Sequence, residues 1–559
     1  MKTKLIYMTV VVGMMLGFAS CDLDYYPSDE QSSDVIIEEA SPMIMDGCYA
    51  LLKDEVEYLG YPSGNTYCRH FFQMAEFPAD NICLSGRSTD PLFQATTYTM
   101  TDNLQNVGTL WMLGYKIIYM TNTLIETLDE SKEEDKQTLG EAYFMRAMIH
   151  LNLVTLYAKP YSMGRDNMGI PLRTTMISAE TKRNSVGEVY DQIVADLQKA
   201  ASLMGKSRGN AGYPSKDAAL GLLSRVYLYM ENYTECINTV NTMLEGADPS
   251  SKLDPNLASY FANAKNSQET LFCIAHEVTE DRGQSSIGSM YNKDGGGWGE
   301  IYPSFPLLNL YERYPMDIRY TEFIKPQYEG DIPSNSYSVF IPNGDAGSEE
   351  KRDVKSVAVT YDTISGAYSF LEAGVTYTIE NRLIQGEYTE YHLDYKGEDL
   401  IVRIMPNNIT NRLTYPKFYV TKFGYQDGVP TLSSPVCCRW GEVILNAAEA
   451  YARTGDAVNA LNYVNAIRTR AGIPASGLFS TNEMHGYASA IDVVMDERRL
   501  ELAFEGHRMF DVYRKKQNMD RRYPGVHAWQ EVKYTDPRTQ YPIPNGERTV
   551  SGIEQNPGY

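Results

Sequence analysis

The chain has 559 residues, of which 43% are hydrophobic and 22% charged, and its formal net charge is −22. That balance belongs to a globular protein with a sizeable core, and so negative a surface excludes nucleic acid and anionic membrane surfaces as partners, because phosphates would be repelled. The unusual count is 43 tyrosines, side chains with a flat apolar face and a polar tip that suit sugars and polar-rimmed interfaces.

Lys2 and Lys4 precede an apolar run at 5–18, which has signal-peptide length and is short for a bilayer span. The run ends in Phe18-Ala19-Ser20-Cys21, which resembles a bacterial lipobox. Residues 1–20 are therefore expected to be a leader cleaved before a lipidated Cys21, with 21–34 as a tether. Asp22-Leu23-Asp24 resembles the Bacteroidetes signal for display on the outer face of the outer membrane. No later segment has eighteen consecutive apolar residues. The eight cysteines contain no CxxC pair, which excludes zinc-ribbon and thioredoxin readings. Seven remain after Cys21, an odd number that points to buried thiols, with Cys68 and Cys83 the one pair to test for a bridge.

The stretch 35–52 has helical character, and 53–106 is read as loop, punctuated by Pro62, Gly64, Pro78, Gly86 and Pro91. From Leu104 long helices are predicted. Trp111, Tyr115, Ile118 and Asn122 recur at helical spacing, and a second helix covers 139–157. Ser185-Val186-Gly187-Glu188 has the spacing of a capping box opening a helix to about Met204. Residues 215–245 and 442–470 each read as a helix pair with small residues at the crossing, the second with a Gly455-Asp456 turn, in the manner of tetratricopeptide units. Between Asp281 and Pro435 the helical period is lost, and strand-like runs occur at 354–361, 391–395, 400–404 and 417–423. Gly295-Gly296-Gly297-Trp298-Gly299 heads this region and lacks the GKS/T that a phosphate loop requires.

Near the C-terminus, DERRLELAFEGHRMFDVYRKK at 496–516 mixes acids, arginines and apolar residues at helical spacing. Glu497, Glu501 and Glu505 step by four along one face. Two such glutamates could form an acid/base couple, but interleaved arginines would keep them ionised. The stretch is therefore read as one half-buried structural helix, with Arg498 and Arg508 as partners of the glutamates. Residues 541–559 are expected to run extended and pinned across the helical body.

ERRLELAFEGHRMFDVYRK resembles the C-terminal signature of the SusD/RagB family of outer-membrane nutrient-binding lipoproteins. The resemblance extends to Cys21-Asp22-Leu23-Asp24, the Trp111…Tyr115…Asn122 and 141–157 helices, RWGEVILNAAEAYARTGD at 439–456, and the terminal YPIPNGE…IEQNPGY. It implies a mostly α protein whose tetratricopeptide-like helix pairs form a scaffold with a loop-rich insertion of short strands. One domain at 35–559 would hold the scaffold at about 104–245 and 436–516 and the insertion at about 281–435. The resemblance also implies a non-enzymatic lipoprotein that sits on a SusC-like TonB-dependent transporter and captures oligosaccharides, or in some members peptides, for import. No cofactor is expected, and no acidic cluster singles itself out for Ca²⁺.

Sugar recognition in water needs aromatic faces for C–H stacking and planar polar side chains for hydroxyl pairs. Candidates from the two loop-rich stretches are Tyr61, Asn65, Tyr67, Asp80, Arg87, Tyr98, Trp298 and Tyr302, with Trp298 first because its glycine neighbours leave its ring uncovered. A glycoside hydrolase would need a placed pair of carboxylates, and no local motif supplies one. A pure scaffold would bind a membrane protein and no carbohydrate.

Overall fold

The computed structural model describes residues 33–58, 61–84, 86, 93–177, 182–330, 332–343, 353–384, 388–527 and 529–559. The expected leader, Cys21 and Arg87 lie outside them.

Helices dominate. Among them are α1 (Ser33–Leu51), α2 (Thr66–Glu76), α3 (Gln105–Thr127), α4 (Glu133–Tyr157), α5 (Val186–Leu203), α6 (Lys216–Tyr229), α7 (Tyr233–Leu244), α8 (Trp440–Arg453), α9 (Ala457–Arg470), α10 (Ala490–Glu501) and α11 (Arg508–Arg514). Successive members from α3 to α7 pack on one another, α8 then joins α6 and α7, and α9 and α10 close on α8. This is the predicted scaffold of helix pairs. The capping box at the start of α5 is realised: Ser185 Oγ accepts from the Glu188 amide at 3.2 Å, and Glu188 Oε2 accepts from the Ser185 amide at 2.7 Å.

Three parts depart from expectation. The stretch read as loop at 53–106 contains α2, nine of whose eleven residues are buried; Phe72, Met74 and Ala75 fill the core on a helix too short for its period to stand out. The stretch 496–516 is two helices, not one. It breaks after Glu501, with Phe504 and Gly506 at φ +70° and +77°. The break has a cause: buried cations take the carbonyls that end α10, Lys422 Nζ donating to Glu501 O and Ala503 O at 3.1 and 2.9 Å and Arg439 Nη2 to Glu501 O at 2.9 Å. All seven cysteines of the described residues are free thiols, in line with their odd count, and Cys68 and Cys83 are not bridged. The terminal segment is pinned by Tyr541 and Asn556, which bond the end of α4, but it turns helical at Asn545–Ser551.

The insertion holds more order than short strands. Six antiparallel strands, Tyr337–Asn343, Asp353–Asp362, Ala367–Glu372, Val375–Ile384, Tyr388–Tyr395 and Glu398–Pro406, close into a barrel with its own apolar interior of Val339, Ile379, Leu393 and Val402. Closure removes the edges that would otherwise pair with other chains.

The glutamates of 496–516 are buried and fully engaged. Glu501 accepts from Arg439 at 2.6 Å, Arg470 at 2.5 Å and Arg319 at 3.0 Å. Glu497 accepts from Arg319 and Arg468, and Glu505 from Arg439 and Lys422. Their partners come from other elements, while Arg498 turns to Asp511 and Arg508 to Asp80. Burial pushes the Glu505 carboxyl up, but Arg439 and Lys422 reverse this and hold it at about 2.

Burial also holds five histidines uncharged, His276 and His507 at about 4, His150 at about 3, and His70 and His527 well below the usual range. Their ordinary value is about 6.5, so the unfolded chain binds more protons than the native one as pH falls from there to about 4. Glu76 runs the other way, raised by burial to about 7, and regains stability over part of the same range. The five histidines outnumber it. The thermal midpoint should fall steeply between pH 6.5 and 4, read by circular dichroism melts, and a flat profile would contradict the assignment.

Candidate functional site

The two stretches read as loop meet in space. Ile82–Leu84 pairs antiparallel with Ile301–Pro303, placing Leu84 opposite Ile301 and Cys83 opposite Tyr302. The segment entering at 292–300 and Leu84 therefore lie at the same end of one small ladder. Arg412 pairs with Glu300 there and lies beside Gly86, 4.0 Å from where a Cβ on that glycine would sit.

The 292–299 loop is tied at its base, since the amides of Trp298 and Gly299 both donate to Ser289 O, at 2.6 and 3.0 Å, and Glu300 N donates to Met290 O at 3.0 Å. Two of its glycines are required by space. A Cβ on Gly297 would stand 2.0 Å from Asn292 O, and Gly299, at φ +54°, would meet the Tyr419 ring at 2.9 Å. This tight path carries Trp298 to the surface. Its ring is half-buried, seated on the core, with the Arg69 guanidinium 5.9 Å from its centroid.

Two further aromatic rings accompany it. Tyr419 lies on the strand Phe418–Val420, whose alternation buries Phe418 and Val420 and leaves Tyr419 half-exposed. Tyr425, at φ +64°, donates to Asp294 Oδ2 at 2.5 Å and accepts from Asn292 Nδ2 at 3.0 Å. Burial and the Asp294 carboxylate raise the hydroxyls of both tyrosines. The result is a rim of three aromatic rings with a carboxylate and two guanidinium groups among them, above the buried Asn292 amide. Such a surface can stack an apolar ring face and pair hydroxyls at its edge. Among the described residues no group of three or more His, Cys, Asp or Glu side chains could hold a metal ion.

Of the candidates chosen from sequence, Trp298 stands at this rim. Tyr302 lies beneath it, fully buried, its ring 6.1 Å from Tyr415 and 6.5 Å from Tyr419. Tyr67 is buried and accepts from Asn152 at 3.1 Å; Tyr98 is buried and bonds Pro78 O at 2.7 Å and the Tyr513 hydroxyl at 2.6 Å. Asn65 is buried, its Nδ2 reaching Ser285 O at 3.4 Å. Asp80 is buried in a bidentate pair with Arg508, at 2.6 and 2.9 Å; burial alone would raise its carboxyl, but Arg499 and Arg508 hold it well below the usual range. These five side chains are committed to the interior, contrary to the sequence reading, because α2 and its flanks are core and not loop and because Tyr302 lies on the fully buried Ile301–Pro303 strand. Tyr61 opens the strand Tyr61–Ser63, opposite Tyr58. Tyr419, Tyr425, Asn292 and Asp294 were missed, although the period-two pattern at 418–420 marks Tyr419 as outward.

Comparison with known proteins agrees with this architecture. The profile of the SusD family matches residues 259–559, and a second, described as starch-binding associating with outer membrane, matches 66–228. Two Formosa agariphila proteins are similar: SusD-like protein P2, 23% identical over 83% of each chain, and SusD-like protein P38, 24% identical over 79% of each. Among solved structures, a SusD superfamily protein from Bacteroides thetaiotaomicron superimposes with a TM-score of 0.67 at 22% identity, covering 93% of this chain and 99% of that one. A Bacteroides vulgatus structure described as a putative sugar binding protein gives 0.66 at 22% identity, covering 93% and 98%. With one family profile spanning more than half of its length, the chain belongs to the SusD family.

Proposed function

We propose that the chain is a non-catalytic, cell-surface lipoprotein that captures oligosaccharides at the Trp298 rim and passes them to a SusC-like TonB-dependent transporter. The observation that carries the reading is the convergence of Trp298, Tyr419 and Tyr425 with Asp294, supported from beneath by Asn292, from segments far apart in sequence. The descriptions of the matching profile and of the Bacteroides vulgatus neighbour, starch-binding and sugar-binding, support the same ligand class. The lipobox-like Cys21 supports a lipid anchor at the outer membrane. The conspicuous glutamates of 496–516 support binding without catalysis, because each is held by buried cations and none is left to move a proton.

The test is affinity electrophoresis of the chain lacking residues 1–21 through gels containing soluble starch, xylan or glucomannan, with a reducing-sugar assay of the same mixtures. Retardation by at least one polymer without release of reducing ends is expected. Released sugar would convert the reading to a hydrolase, and migration unchanged by all three would sink it.

A further inference from the structure

The two ends of the six-stranded barrel are built differently. At one end Lys355, Glu372 and Tyr395 form a closed polar plug: Lys355 Nζ donates to the Tyr395 hydroxyl at 2.7 Å, that hydroxyl donates to Glu372 Oε2 at 2.7 Å, and Lys355 pairs with Glu372. Tyr377 packs over it, its ring 5.1 Å from Tyr395.

At the other end four tyrosines gather. Tyr361 and Tyr368 face each other across two paired strands, their ring centroids 4.8 Å apart, and Tyr337 and Tyr391 each lie 6.0 Å from Tyr368. They occupy inward-facing positions of the strand alternation but sit past the aliphatic layer, so Tyr361 is 51% exposed and the other three are half-buried. Among the described residues no hydrogen bond reaches the hydroxyl of any of the four, in contrast with Tyr395. Burial raises the Tyr391 hydroxyl, followed by Tyr368, Tyr361 and Glu312, which places the four phenols and one carboxylate within electrostatic reach of one another. Glu312 is itself held by Arg403 at 2.9 Å, so the mouth presents no uncompensated charge from that group.

Core packing explains the interior layer but not this end. A barrel end that needed only to be closed has the plug at the opposite end as its solution. Clustered aromatic faces with free hydroxyls at a barrel mouth are what a polyhydroxylated ring requires, C–H faces on the phenyl rings and hydroxyl pairs at their tips. A chain of net charge −22 disfavours polyanions.

We propose that this open barrel end is a second carbohydrate site, taking an uncharged polysaccharide chain across Tyr361 and Tyr368. The proposal rests on the reading of the protein as a glycan binder. The barrel has an apolar core separate from the one that seats Trp298, so the two sites stand on different parts of the fold, and a long polymer reaching both would gain avidity that a short oligosaccharide cannot.

The experiment compares the chain lacking residues 1–21 with its Tyr361→Ala, Tyr361→Phe and Trp298→Ala variants on soluble starch, xylan and glucomannan and on the trisaccharide of each, by isothermal titration. Tyr361 is exposed enough that its removal should leave the melting temperature unchanged. Tyr361→Ala should weaken polymer binding about tenfold through lost avidity and leave trisaccharide binding at the Trp298 rim within twofold. Tyr361→Phe should retain most of the polymer affinity. Polymer affinity unchanged in Tyr361→Ala, with the wild type binding, would overturn the second site alone. No binding of any probe by the wild type would overturn both the second site and the reading it rests on.

Discussion

Arg439→Ala should be the most damaging single substitution in the described fold, lowering stability by about 3–5 kcal/mol, the scale for removing one partner from a buried ionic cluster. Arg439 is 1% exposed and ends the strand Val436–Arg439 that leads into α8. Its guanidinium donates to Glu505 through Nε and Nη2, both at 2.8 Å, to Glu269 at 2.8 Å and to Glu501 at 2.6 Å, and caps Glu501 O. Truncation leaves three buried carboxylates short of a cation and uncaps α10. Arg439→Lys should recover little, because a point charge cannot serve three acceptors in a fixed fork. Glu501→Gln keeps hydrogen-bonding capacity and should cost about 1–3 kcal/mol. Urea unfolding reads all three, and a midpoint for Arg439→Ala close to that of the wild type would show that the cluster is not what holds α8, α10 and Glu269, which precedes the strand Thr270–Cys273, together.

Trp298→Ala should weaken glycan binding about 10- to 100-fold, equivalent to about 1.4–2.7 kcal/mol, as expected for the central aromatic anchor of a small site. Trp298 supplies an indole to the rim, and the Gly297 and Gly299 backbone that presents it stays in place in the variant. Because half of the ring rests on the core, some stability is lost as well. Affinity must therefore be taken from the folded fraction, by titration calorimetry well below the melting temperature. An affinity within twofold of wild type would remove Trp298 from the site.

The scaffold was legible in sequence wherever the helical period ran long. The 105–127 and 133–157 helices and the 440–470 pair follow from apolar spacing, and α5 follows from its Ser185–Glu188 box. The barrel was less so. Strands at 353–362, 388–395 and 398–406 showed as alternating runs, but Tyr337–Asn343, Ala367–Glu372 and Val375–Ile384 did not, although Ala373-Gly374 and Lys396-Gly397 take the positive φ angles of two-residue hairpin turns. Closure depends on pairing between the first strand and the last, Glu398–Pro406, far along the chain, which local pattern does not carry. The site divides in the same way. Trp298 could be chosen because glycines on both sides signal an exposed ring. Tyr67, Tyr98 and Tyr302 could not be told from it, because a buried tyrosine with its hydroxyl bonded and an exposed one have the same letter and differ only in what packs against them. The glutamates of 496–516 were rightly read as structural from the interleaved arginines, yet their partners, Arg319, Arg439, Arg468 and Arg470, come from elsewhere in the chain.

The most direct test of the Trp298 rim uses the protein's own reporters. The chain has four tryptophans, of which Trp111 and Trp440 are buried in the helical body and Trp298 stands at the rim with its ring half-exposed. Titrating the polysaccharide that retards the protein most strongly should change the intrinsic tryptophan emission saturably in the wild type, as a sugar ring displaces water from the indole, and should leave the emission of Trp298→Ala unchanged. A saturable change of equal size in the Trp298→Ala variant would mean that the ligand binds elsewhere and that the rim is not the site.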